Sequence, residues 1–179
     1  MSETVPIRKD LDEWAYIALG SNLGDSQDLI ENAIQRLSEL SERPILVSSL
    51  WRTTPVDCPP DSPPFINGVV GLKPHPGETP ETLLAKLQKL EQEFGRKPKT
   101  VLNEPRPLDL DLLTFGNQIR ATPKLTLPHP RAHQRRFVLQ PLSEIAPGLV
   151  LPGHLKTVAE LLARLPPDES VKKVEPPSH

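Results

Sequence analysis

Trp14-Ala15-Tyr16-Ile17-Ala18-Leu19, followed by Gly20-Ser21-Asn22-Leu23-Gly24-Asp25, is the stretch that decides the architecture. Its apolar run is too short for a helix of its own and reads as a buried strand, and the glycines that follow make a turn. Beyond the turn, Leu29, Ile30, Ala33, Ile34, Leu37 and Leu40 recur at helical spacing, with Pro44 just past the end. Residues 45–53 alternate as a strand does, and a proline-rich segment at 55–64 leads to a further strand at 65–72. A second helix follows, with Thr79 as N-cap, Pro80 in the first helical position, a stripe of Leu83, Leu84, Leu87, Leu90 and Phe94, and Gly95 to end it. Residues 108–115 read as a central strand and 124–127 as a short one. Helices are expected at roughly 133–139 and at 158–165. Helices interleaved with short strands predict an α+β sandwich, a mainly antiparallel sheet covered by helices.

A chain of 179 residues suits one domain, and 36% hydrophobic with 25% charged residues fits a globular protein. We expect the domain to span 14–165, between a disordered N-terminal extension at 1–13 and a disordered tail at 166–179. The 23 prolines cluster into a few segments, which implies stiff loops of the kind that shape a binding site. No apolar run approaches the ~20 residues of a membrane span, and residues 1–13 lack the apolar core of a secretion signal, so a cytoplasmic location is expected. A single cysteine, Cys58, permits no internal disulfide. The net charge of -2 argues for neither nucleic acid nor membrane as partner. Between Arg96 and Arg136, however, nine Lys or Arg stand against three acids, a local excess able to attract a small polyanion.

The chemistry concentrates in Pro105-Arg106-Pro107-Leu108-Asp109-Leu110-Asp111-Leu112-Leu113. Side chains alternate in a strand, so Asp109 and Asp111 share one face, about 7 Å apart at their Cα atoms, and the leucines share the other. Two carboxylates side by side repel unless a cation offsets them. They bracket a metal, or else form an exposed edge of solvated acids or pair with Arg106. Hard oxygen donors without a Cys or His cluster favour magnesium over zinc. Magnesium beside arginines suits phosphoryl-type transfer, for which Arg96, Lys99, Arg106, His129 and Arg135 are candidates. The loop at 20–25 matches neither common phosphate-binding glycine pattern and reads as a turn with Asp25 or Ser26 as N-cap. His129, between Pro128 and Pro130, is either a buried structural residue or a phosphate contact. Phe65 and Phe137, two of seven aromatic residues, would sandwich a flat ring if they face one another, with Asn67 reading its polar edge.

Five blocks in one order, ALGSNLGD at 18–25, PFINGVV at 64–70, LEQEFGR at 90–96, PRPLDLDLLTFG at 105–116 and LTLPHPRAHQRRFVLQPLSEIAP at 125–147, resemble the 6-hydroxymethyl-7,8-dihydropterin pyrophosphokinase family of folate biosynthesis. The resemblance covers about residues 14–165. It implies a ferredoxin-like fold and transfer of pyrophosphate from ATP to the pterin hydroxymethyl group, with AMP released and two Mg2+ ions assisting. It implies that Asp109 and Asp111 hold the metal and that Arg96 and Arg106 are the catalytic cations. Phe65 and Phe137 would stack on the pterin, with Asn67 at its edge and Thr53, Thr54, Pro55 and Val56 lining the pocket. For ATP it points to Gln88, Glu91, Arg96, Lys99, Arg106, Leu112, Lys124, Thr126, His129 and Arg135. Small-molecule substrates are the only partners implied, and a monomer is expected. Residues 96–104 would be the lid. Asn103 stands where many members carry a tryptophan, and Pro130 replaces an aromatic residue.

Overall fold

The computed structural model describes residues 14–22, 26–53, 64–95, 108–168 and 170–174. Strand β1 (Ala15–Ser21) pairs antiparallel with β4 (Phe65–Leu72) on one side and with β5 (Asp109–Phe115) on the other. On the far side of β4 lie β2 (Leu46–Val47) and β3 (Trp51–Thr53), giving the order β5-β1-β4-β3 along the sheet. Helix α1 (Ser26–Ser38) connects β1 to the β2–β3 segment, and α2 (Pro80–Glu93) connects β4 to β5. This β-α-β-β-α-β succession with its split antiparallel pairing is the ferredoxin-like arrangement, as the sequence led us to expect.

Both crossover helices cover one face. Ile30, Ala33 and Leu37 of α1 and Leu83, Leu87 and Leu90 of α2 pack on Ala15, Ile17, Leu19, Ile66, Val70, Leu110 and Leu112. Helix α2 begins where Thr79 and Pro80 predicted. The Thr79 hydroxyl accepts the Thr82 N–H at 3.1 Å and Thr82 returns the bond to the Thr79 N–H at 2.9 Å, a reciprocal cap worth about 1 kcal/mol. The opposite face carries α3 (Arg136–Ile145) and α4 (Val158–Arg164), whose Val138, Leu139, Leu142 and Val158 bury Tyr16, Val69 and Leu113. A small hairpin, β6 (Arg120–Ala121) with β7 (Thr126–Leu127), follows β5.

Three expectations need correction. The strand foreseen over 45–53 is broken, because Ser48 substitutes its hydroxyl for part of the ladder: its Oγ accepts the Val69 N–H at 2.9 Å and donates to Ser49 O at 2.7 Å. The helix foreseen over 133–139 is a 3-10 turn (Ala132–Gln134) followed by α3, which continues through Pro141 to Ile145 because Val138, Leu139, Pro141 and Leu142 are buried together. Proline costs one helical hydrogen bond, and the apolar face outweighs it. Finally, the tail is not disordered throughout 166–179. Val171–Lys173 forms β8, which adds to the sheet antiparallel to β3, and Val174 packs against the first core. The extension at 1–13 lies outside the described residues.

Candidate functional site

Strand register places the candidate residues before any side chain is considered. Gly20 on β1 is opposite both Asn67 on β4 and Asp109 on β5, and Ala18 is opposite both Val69 and Asp111. Asn67 and Asp109 are therefore separated by one intervening strand, roughly 10 Å between backbones. Continuing across the sheet, Thr53 is opposite Phe65. Strand alternation turns Phe65, Asn67, Asp109 and Asp111 to the face that carries α3, and there they meet Arg135 and Phe137 from the start of that helix. The result is a cavity of about 500 Å3 lined by Ala18, Leu19, Gly20, Thr53, Phe65, Asn67, Gly68, Asp109, Asp111, Leu113, His129, Arg135, Phe137, Val138, Asp168 and Ser170.

Inside it, the Asn67 Nδ2 donates to Thr53 Oγ1 at 3.2 Å, which fixes the amide. A Cβ on Gly20 would come within 3.0 Å of Asn67 Oδ1, so the absence of a side chain there makes room for the amide. The Arg135 guanidinium sits 5.5 Å from the centroid of the Phe137 ring, within cation–π reach. His129 is tied to β5 by its backbone N–H, which donates to Leu113 O at 2.9 Å, and its Nδ1 accepts the Arg131 N–H at 3.2 Å. Nε2 is then the protonated nitrogen of a neutral ring. Burial lowers the His129 pKa from its ordinary value; Asp111 opposes this and Arg135 and Arg131 add to it.

Of the residues singled out from sequence, the cavity thus gathers Thr53, Phe65, Asn67, Phe137, Asp109, Asp111, His129 and Arg135. Gln88, Lys124 and Thr126 are exposed and lie outside its lining. Glu91 is buried and its Oε2 accepts the Leu110 N–H at 2.8 Å, so the carboxylate closes the outer edge of β5. The Leu112 side chain packs in the first core, on the sheet face away from the two aspartates. Thr54, Pro55, Val56, Arg96, Lys99, Asn103 and Arg106, and the expected lid at 96–104, lie outside the described residues. The basic stretch is divided in its tasks: Arg120 pairs with Glu81 at 2.6 Å, and Arg136 holds backbone carbonyls near the C-terminus. Sequence reasoning missed Gly20 as a site residue and missed Asp168 and Ser170 entirely. The first is signalled by its place opposite Asn67; no local pattern signals the other two.

The two aspartates fit a magnesium ion by the chemistry of their donors. Both offer carboxylate oxygens on the cavity side, Asp111 exposed and Asp109 partly so. Among the described residues no cluster of three or more His, Cys, Asp or Glu forms a closed protein cage. Magnesium is commonly held by one or two carboxylates with the remaining positions left to phosphate oxygens and water.

A ferredoxin-like sheet with two carboxylates and two aromatic rings lining one cleft has the form of a small-molecule-binding α+β domain. The sequence model of 7,8-dihydro-6-hydroxymethylpterin-pyrophosphokinase (HPPK) matches residues 16–147. The 2-amino-4-hydroxy-6-hydroxymethyldihydropteridine pyrophosphokinase of Pseudomonas aeruginosa is 41% identical over 152 residues, 84% of this chain and 91% of that protein. The enzyme of the same name from Haemophilus influenzae is 38% identical, over 88% of this chain and 96% of its own. The chain therefore belongs to the HPPK family. The crystal structure of wild-type Plasmodium falciparum HPPK-DHPS with pteroate shares the fold at a TM-score of 0.65 and 14% identity, covering 84% of this chain and 42% of that one. This chain thus spans less than half of that protein. No helix among the described residues is long and apolar enough to cross a membrane.

Proposed function

We propose that this chain transfers pyrophosphate from ATP to the hydroxymethyl group of 6-hydroxymethyl-7,8-dihydropterin, giving AMP and the pterin pyrophosphate, with magnesium as the required ion. The observation that carries this reading is the shared cavity: Asp109 and Asp111 line it together with Phe65, Asn67 and Phe137. The separation of roughly 10 Å between the backbones of Asn67 and Asp109 accommodates a flat bicyclic ring between them with its side arm towards the carboxylates.

Phe65 and Phe137 would hold the ring faces, and the Asn67 amide, oriented by Thr53, would bond its edge. Asp109 and Asp111 would hold the metal. When bound, magnesium offsets the charge of the phosphate oxygens and helps to align them. His129 offers a neutral Nε2–H donor and Arg135 a fixed positive charge for the phosphate chain. Arg96 and Arg106, assigned from sequence, would gather charge on the transferring group. The pterin hydroxyl oxygen would attack the β-phosphorus directly while the bond from that phosphorus to the α,β-bridging oxygen breaks; AMP leaves with the bridging oxygen and the hydroxyl proton is released to water, a transfer that rests on positioning and charge compensation. A cytoplasmic location and a monomeric state complete the proposal.

Label supplied at the β-phosphorus of ATP tests it. It should leave with the γ-phosphoryl group and appear in the pterin product, in a reaction dependent on magnesium. Label that stays in a nucleotide product would refute the reading.

A further inference from the structure

Part of the cavity wall lies beyond the residues that the family model matches, since Asp168 and Ser170 both follow residue 147. After α4 the chain turns back towards β3, and several independent contacts hold it there. The Arg136 Nη2 donates to Leu165 O at 3.2 Å and Pro166 O at 3.0 Å. Further on, β8 lies antiparallel to β3, with Val171 opposite Thr53, and the Val174 N–H donates to Leu50 O at 2.8 Å. Lys173 stands 3.8 Å from Glu144, whose other oxygen accepts the Trp51 Nε1–H at 3.0 Å.

The register fixes which end of the cavity this segment closes. Val171, Thr53 and Phe65 are neighbours across β8, β3 and β4, so Asp168 and Ser170 stand at the aromatic end. Asp109 and Asp111 lie on β5, beyond both β4 and β1. Asp168 is thus placed for the heterocycle rather than for the metal. Its Oδ1 accepts both the Ser170 N–H at 3.0 Å and the Ser170 hydroxyl at 2.6 Å, which fixes the carboxylate. These bonds, the side-chain one foremost, hold its pKa below the usual carboxylate range, so the group is an acceptor only. A flat ring rich in N–H donors is the ligand that such an anion recognises, through charge-assisted hydrogen bonds.

We propose that Asp168, presented by the C-terminal strand, is a substrate-binding residue that accepts N–H hydrogen bonds from the amino-substituted edge of the heterocycle. The inference rests on the pterin pyrophosphokinase reading and adds to it a recognition group from the C-terminal segment.

The test compares the full-length chain with Asp168→Asn and Asp168→Ala. Pterin affinity is measured by pterin fluorescence with magnesium and a non-hydrolysable ATP analogue, alongside the KM for pterin and for ATP. Asp168→Asn keeps an oxygen for Ser170 and removes the charge, so its pterin Kd and KM should rise about tenfold, with Asp168→Ala at least as far, while the ATP KM stays within about twofold. Pterin affinity equal to wild type in both variants overturns the proposal. So does an equal loss for pterin and ATP accompanied by a lowered Tm, which would mark a structural role. A wild-type chain that neither binds the pterin nor releases AMP with it defeats the functional reading itself, and the inference with it.

Discussion

Asn67 and Thr53 are joined across β3 and β4 by a 3.2 Å bond from Nδ2 to Oγ1, and the bond points the Asn67 oxygen towards the gap above Gly20. An amide so fixed presents its acceptor in one orientation. Thr53→Val keeps the shape of the side chain and removes the acceptor. The pterin KM should then rise about three- to tenfold, the cost of one lost hydrogen bond, with the ATP KM little changed. Steady-state kinetics with each substrate varied in turn would show it, and an unchanged pterin KM would separate the amide from recognition.

Asp109→Asn and Asp111→Asn preserve shape and remove charge. Each should lower turnover on the order of 100-fold or more, the scale of losing one preorganised electrostatic group. Neither is fully buried, so thermal unfolding of the metal-free proteins should stay close to wild type. Chelation of magnesium should abolish activity and its return should restore it. A variant that kept most of its turnover would remove that carboxylate from the metal site.

Glu91 presents two separable roles. Its carboxylate satisfies the Leu110 N–H at the outer edge of β5, where the resemblance to the family points to ATP. Glu91→Ala leaves a buried N–H without its acceptor and should cost about 1–3 kcal/mol in chemical denaturation. Stability equal to wild type with a raised ATP KM would assign the residue to the nucleotide instead.

The depressed pKa of His129 makes stability depend on pH with a definite sign. Near its ordinary value of about 6.5 the unfolded chain takes up a proton that the folded chain refuses until lower pH. Within that window the unfolded state binds more protons, so this group lets stability rise with pH and withdraws it as pH falls. His129→Gln in the metal-free protein should flatten the slope of unfolding free energy as pH falls through about 6.5, the ordinary value that the unfolded chain keeps. An identical slope in the variant would show that burial does not act on this ring.

Much of this was legible in the sequence because local signals and tertiary structure agree. Thr79 and Pro80 mark the start of α2 through their own capping chemistry, and the alternation of Asp109, Leu110, Asp111 and Leu112 marks both faces of β5. The residues that escaped are those whose conformation is imposed from a distance. Val171–Lys173 follows a proline-rich stretch and carries no alternation; it becomes a strand because β3 offers an open edge and Arg136 and Glu144 hold its flanks. The helix expected over 133–139 ends short of Pro141, yet the buried face around Leu139 and Leu142 carries α3 past that proline. Leu112, to which the family resemblance points for ATP, has its side chain in the core beneath α1 and α2, as strand alternation requires.

The most direct measurement is to incubate the purified chain with ATP, magnesium and 6-hydroxymethyl-7,8-dihydropterin and to separate the products by chromatography. A pyrophosphokinase forms AMP and the pterin pyrophosphate in equal amounts. ADP with a pterin monophosphate, or no consumption of ATP, would contradict that reading.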